Sequence, residues 1–85
     1  MRNNYYGGKN MSNVEWVQQA IAQAFPNATF TVHDTRGDDM HLTLCIQSNA
    51  FAEKTQIQRH RMIYACLDHL RSGQIHALSI QASVA

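Results

Sequence analysis

The apolar residues of this chain change their spacing in a set order, and that order restricts the fold more than any other feature. Val14, Val17, Ile21 and Phe25 recur at intervals of three and four, which places them on one stripe of a helix. Ala28 to Val32 then alternates with period two and is rich in β-branched and aromatic residues, so it reads as a strand with Phe30 and Val32 facing a core. Leu42, Leu44 and Ile46 repeat that alternation and make a second strand. Between Thr55 and Leu70, the residues Ile57, Met62, Ile63, Cys66, Leu67 and Leu70 return to helical spacing, and Ile75, Ala77-Leu78 and Ile80 form a last strand. The order α-β-β-α-β predicts one α+β domain in which the first two strands pair as a hairpin, the last strand joins their sheet, and helices cover one face.

Punctuation agrees with the periods. Ser12 or Asn13 can cap the first helix, with Glu15 near its positive end, and Pro26-Asn27 ends it. Asp34 to Asp39 is a polar, acidic, Gly-containing connection, Ser48 to Glu53 is a short turn before the long helix, and Ser72-Gly73 stops that helix. Residues 1–11 lack periodicity and contain Gly7-Gly8, which reads as a disordered tail or an expression remnant, leaving 12–85 as the domain.

Composition narrows the chemistry. Eighty-five residues with 45% hydrophobic content support one modest core, since a chain this short buries only about 60–65% of its unfolded surface. A formal charge of +1 gives no strongly basic field. Two cysteines, Cys45 and Cys66, are too few for a disulfide scaffold and read as reduced, small core hydrophobes. The absence of a long apolar run and of a leader pattern predicts a cytoplasmic protein with no membrane role. No Cys-x-x-Cys pair is present, and nothing in the chain indicates a substrate pocket, so an enzyme is not expected.

Five histidines make the main set of candidate metal ligands. From spacing alone, His76 reads as a histidine capping a strand edge through a backbone hydrogen bond. His60 reads as a ring that orders the turn before its helix. Lys54, Arg59, Arg61 and Arg71 form a basic helix edge, either a solvated face or a grip on acidic groups or phosphates.

Three sequence blocks carry a resemblance. Arg59-His60-Arg61-Met62-Ile63-Tyr64 and Ile75-His76-Ala77-Leu78-Ser79-Ile80, with Phe51 eight residues ahead of the first and His41-Leu42-Thr43-Leu44 entering the second strand, resemble the BolA family from about Val14 to Ala85. Two departures stand out: Glu53 occupies a place where the family commonly has glycine, and the chain ends at Ala85 where many members continue.

The resemblance implies a fold similar to type II KH domains and a [2Fe-2S] cluster shared with a monothiol glutaredoxin and the glutathione bound to that partner, with no cofactor when the protein is alone. His76 maps onto the family's cluster-ligating histidine. The second ligand comes from the loop between the first two strands; His41 is preferred because a neighbouring flexible loop would let it reach a partner, with His33 as the alternative and Asp38, at the family's cysteine position, as an outside choice. A DNA-binding regulator is the competing expectation. It is weakened by near-neutral charge and by the lack of the G-x-x-G loop with which KH modules clamp nucleic acid.

Overall fold

The computed structural model describes residues 12–71 and 77–85, and the side chains of 68–71 lie outside that description, as does the segment 1–11 expected to be a tail. Helix α1 spans Asn13–Ala24. Ser12 is its N-cap: the Glu15 N–H donates to Ser12 Oγ at 3.1 Å and the Ser12 N–H donates to Glu15 Oε1 at 2.9 Å, a reciprocal capping box. Strand β1, Thr29–Asp34, extends two residues beyond the alternating stretch. Its last residue still pairs with Leu42, and the Asp34 carboxylate then opens the loop by accepting three backbone N–H bonds.

Strand β2 is His41–Gln47 and pairs antiparallel with β1, as the hairpin reading requires. A 3₁₀ turn at Asn49–Phe51 follows, then helix α2, Gln56–Arg71, and strand β3, Ala77–Ser83. Thr55 and Gln58 cap α2 as Ser12 and Glu15 cap α1. The sheet order is β1-β2-β3, with β3 parallel to β2 in the register His41↔Ala77 through Gln47↔Ser83.

One sheet face is covered by the helices. Leu42, Leu44 and Ile46 of the central strand meet Val17, Ile21 and Phe25 of α1, Ile63 of α2, Phe51 and Ala82. Phe25 and Phe51 stack as tilted rings with centroids 5.4 Å apart. Strand parity turns the alternate residues to the opposite, uncovered face, which corrects one expectation, and helical phase corrects another. Cys45 is not a core residue, because its neighbours Leu44 and Ile46 point inward; it lies half-buried on the open face with Sγ 3.5 Å from Gln81 Oε1. Ile57 is also outside the core, at 66% exposure. It precedes Met62 and Ile63 by five and six residues, an interval that does not return to the same side of a 3.6-residue turn. Cys66 packs against the core as expected, and burial raises its thiol pKa.

Strand β3 is a sheet edge, and α2 blunts it. In a parallel ladder alternate residues bond inward, so Leu78 and Ala82 turn their carbonyls outward. The Tyr64 hydroxyl donates to Leu78 O at 3.1 Å and Arg59 Nη1 donates to Ala82 O at 3.0 Å, occupying acceptors that otherwise template further strands. Arg59 Nε also donates to Lys54 O at 3.0 Å. The ordering of the turn before α2, expected of His60, is performed by Arg59.

Glu53 retains the backbone conformation that glycine would fill, with φ of 61°. Left-handed φ costs a side-chain-bearing residue roughly 1–2 kcal/mol. The turn tolerates this because fully buried Phe51 holds it in place, and a buried Phe is worth about 3–5 kcal/mol against truncation. Glu53→Gly is expected to raise the unfolding free energy by about 0.5–1 kcal/mol, the relieved strain less the backbone entropy of glycine. Urea denaturation checks this, and a lowered midpoint contradicts it.

Candidate metal-ligand site

The last residue of β1, Asp34, and the connection to β2, with Asp38 and Asp39, supply three aspartates, and each spends its charge on specific N–H groups. Asp34 accepts from the backbone N–H groups of Arg36, Gly37 and Asp39 at 3.3, 2.8 and 2.8 Å. Asp39 reaches across to the start of α1: its carboxylate accepts from Asn13 N at 2.6 Å and Val14 N at 3.1 Å, while Asn13 Nδ2 donates to Asp39 O at 2.7 Å. An anion there faces the positive end of the helix and satisfies first-turn amides. Gly37 and Asp39 both take left-handed φ, 73° and 61°, a conformation that Gly and Asp accept at low cost. The loop expected to be flexible is therefore held by carboxylate–amide bonds and fastened to α1.

Asp38 orients His41. Its Oδ1 accepts from Met40 N at 2.9 Å and His41 N at 3.2 Å, and its Oδ2 lies 2.8 Å from His41 Nδ1. A carboxylate at that distance makes Nδ1 the protonated nitrogen, so the lone pair of the neutral ring is on Nε2. Carboxylate–imidazole pairs of this kind fix the tautomer and raise the basicity of metal-ligating histidines. The hydrogen bond from the Met40 N–H, helped by those from His41, holds the exposed Asp38 carboxyl below its ordinary pKa.

His41 opens β2, and its Cα partner on the parallel strand is Ala77. The Ala77 N–H donates to Met40 O at 2.9 Å, which ties the two strand starts together. His76, the residue just before Ala77, lies outside the described residues. His33 is exposed on β1, opposite Thr43, and so stands on the far side of β2 from β3. Two strand spacings, about 10 Å, separate its strand from β3, against about 5 Å for His41. Among the described residues, no group of three or more His, Cys, Asp or Glu side chains could hold a metal ion without outside ligands.

The basic residues divide by role. Arg59 commits two donors to backbone carbonyls. Lys54 and Arg61 are exposed, and the side chain of Arg71 lies outside the described residues. Reasoning from residue types missed the loop's hydrogen-bonding scheme and the exposed side of α2. Three aspartates within a six-residue turn were the available sign of the first, and the seven-residue interval from Ile57 to Tyr64 was the available sign of the second. Among the described residues, no helix is long and apolar enough to cross a membrane.

A family model described as BolA-like protein matches residues 15–85. A stretch of 54 residues, 60% of the chain, is 50% identical to SufE-like protein 1, chloroplastic/mitochondrial, of Arabidopsis thaliana and covers 14% of that protein. A stretch of 46 residues, 54% of the chain, is 37% identical to BolA-like protein 1 of Bos taurus and covers 34% of it. The chain thus spans a minor part of these relatives. Among solved structures, the BolA domain of SufE1 from Arabidopsis thaliana matches with a TM-score of 0.76 at 28% identity, covering 86% of this chain and 92% of that one.

The Asp38–His41 pair has a measurable consequence. A carboxyl whose pKa is depressed by folding stabilises the fold above the ordinary carboxylate range and loses that contribution as pH falls through the lowered value. In NMR titrations, the Asp38 carboxyl resonance should move at lower pH than an ordinary aspartate. In His41→Ala it should shift part of the way back, since the Met40 N–H remains. An unchanged Asp38 titration in that variant would mean that the ring does not engage the carboxylate in solution.

Proposed function

This chain belongs to the BolA-like protein family, and from that membership we propose that it is a binding module that pairs with a monothiol, CGFS-type glutaredoxin and co-ligates a [2Fe-2S] cluster, in iron–sulfur assembly, trafficking or iron regulation. The observation that carries the reading is the parallel register His41↔Ala77. It puts an imidazole already oriented by Asp38 beside the strand start that directly follows His76. Those two histidines are the assigned ligands from this chain, and the partner's cysteine and its bound glutathione supply the rest. His33 is the weaker loop candidate, because β2 intervenes between its strand and β3.

The donor set fits such a role. Imidazole replaces thiolate in some cluster sites, and a neutral ligand in place of an anionic one lowers the net negative charge there and raises the reduction potential. What this chain contributes is orientation: Asp38 fixes the His41 tautomer, Asp39 fastens the loop to α1, and the Met40–Ala77 bond sets the spacing of the two strand starts. A chain offering two ligands binds no cluster alone and needs the partner to complete the set. A BolA domain also stands within SufE1 of Arabidopsis thaliana, where the same module is part of a larger chain, which suits a docking role.

The test is anaerobic reconstitution of the chain with a CGFS-type glutaredoxin, glutathione, iron and sulfide, followed by visible circular dichroism and iron counting on the isolated complex. The wild-type pair should give a spectrum distinct from that of the glutaredoxin alone. His76→Ala and His41→Ala should lose it while remaining folded, and His33→Ala should keep it. Unaltered spectra in both of the first two variants contradict the assignment. Failure to form any complex, together with salt-dependent DNA binding through Lys54 and Arg61, would favour the DNA-binding reading instead.

A further inference from the structure

We propose that the outer edge of β1 pairs antiparallel with β1 of a second copy of this chain, about a two-fold axis at Thr31, to give a continuous six-stranded sheet. The pairing needs no glutaredoxin. The sheet order β1-β2-β3 leaves two edges. At the β3 edge, Tyr64 and Arg59 occupy the carbonyls of Leu78 and Ala82. The β1 edge has no such cover: among the described residues, no side chain or loop bonds to the backbone of Phe30 or Val32 from outside the sheet. Its six residues, Thr29–Asp34, contain no Lys, no Pro and no break in register, so the usual devices against edge pairing are missing.

The ladder shows which groups point outward. The Thr35 N–H donates to His41 O at 2.9 Å, which makes that pair hydrogen-bonded. Bonded pairs recur at every second residue of an antiparallel ladder, so Thr29, Thr31 and His33 spend their backbone groups on Gln47, Cys45 and Thr43. Phe30 and Val32 therefore turn N–H and C=O away from β2. Their side chains pack against the core yet stay half-buried, so the core is unfinished at this edge.

A second β1 completes both. With Thr31 opposite Thr31, Phe30 of each copy faces Val32 of the other, and each such pair can exchange two N–H···O bonds. Opposed residues lie on the same sheet face, so Phe30 and Val32 meet on the helix-covered side. A register centred on Val32 instead sets Phe30 against Asp34, an apolar side chain against a carboxylate. Charge permits the chosen register: His33 faces Thr29, and the Asp34 carboxylate is already bonded to loop amides. Helix α1, on the same side in both copies, has Glu15 as its single charged residue. One isologous contact thus satisfies both edges with the same residues.

Area sets the strength. Six strand residues span about 20 Å, and one strand edge falls short of the about 1,200–2,000 Å² buried in a stable interface. The dimer is accordingly reversible and fills as the chain concentration rises.

Sedimentation velocity on the full chain from micromolar to millimolar concentration, with amide hydrogen exchange by NMR on the same samples, tests this. The sedimentation coefficient should rise toward that of a dimer, and the Phe30 and Val32 amides should gain protection with it, while the Leu44 amide on central β2 stays unchanged. Thr31→Lys puts two ammonium groups face to face at the axis, and Val32→Pro removes an outward donor without touching the β1–β2 ladder; circular dichroism checks that each folds. Each folded variant should raise the dimer dissociation constant at least tenfold. Ser79→Lys, the same change of charge on exposed β3, should leave it within twofold of wild type. A chain that stays monomeric throughout overturns the proposal, as does a dimer that persists in Thr31→Lys, is lost equally in Ser79→Lys, or leaves the Phe30 and Val32 amides unprotected. Protection of those amides that appears only on adding glutaredoxin overturns it in favour of that partner.

Discussion

Everything at the candidate site depends on the parallel pairing of β2 with β3. Two parallel neighbours begin at the same end of the sheet, so His41 at the start of β2 and Ala77 at the start of β3 become partners. An antiparallel β3 would have placed Ala77 opposite the far end of β2. Parallel pairing needs a crossover long enough to carry the chain back along the sheet, and α2, Gln56–Arg71, provides it. The crossover is held by fully buried Ile63 at the core and by Phe51 at its entry, while Arg59 and Tyr64 tie its outer side to the β3 carbonyls. Packing and edge protection thus serve the same geometry that sets the starts of β2 and β3 side by side.

The acidic connection between β1 and β2 has a second constraint, electrostatic in origin. Its carboxylates are consumed in local bonds: Asp34 on loop amides, Asp39 on the first turn of α1, and Asp38 on Met40 and the ring of His41. Charge-assisted bonds to N–H groups are stronger than neutral ones, and together they fix a loop that contains two left-handed residues. The charge is thus spent within the loop, on the first turn of α1 and on the His41 ring.

Most of the architecture was legible in the sequence because period and burial coincide in the elements that carry the core. Val17, Ile21, Leu42, Leu44 and Ile46 sit where their spacing put them. Misplacement occurred where an apolar residue was counted without its phase. Cys45 shares a strand with Leu44 but has the opposite parity, and Ile57 shares a helix with Ile63 but falls on another side. Which strand β3 joins, and in which direction, was not legible, since pairing partners come from long-range packing and not from local period. The candidate ligands were legible as residue types, and His41 was favoured for a mobile loop. The structure shows a different setting: the loop is held by carboxylate–amide bonds, and the His41 ring is oriented by Asp38 on the strand end that pairs with the start of β3. The role of Asp39 as a link between loop and helix had no counterpart in spacing, because 26 residues separate it from Asn13.

The central claim is that this chain donates imidazole nitrogen to a shared cluster from the paired starts of β2 and β3. Pulsed electron paramagnetic resonance on the dithionite-reduced complex tests it most directly, using this chain labelled with ¹⁵N-histidine and an unlabelled glutaredoxin. The account predicts two strongly coupled ¹⁵N nuclei, with one lost in His41→Ala and the other in His76→Ala if either variant retains a cluster. Absence of any ¹⁵N coupling in the wild-type complex, or two couplings that persist when His41 is replaced, would contradict it.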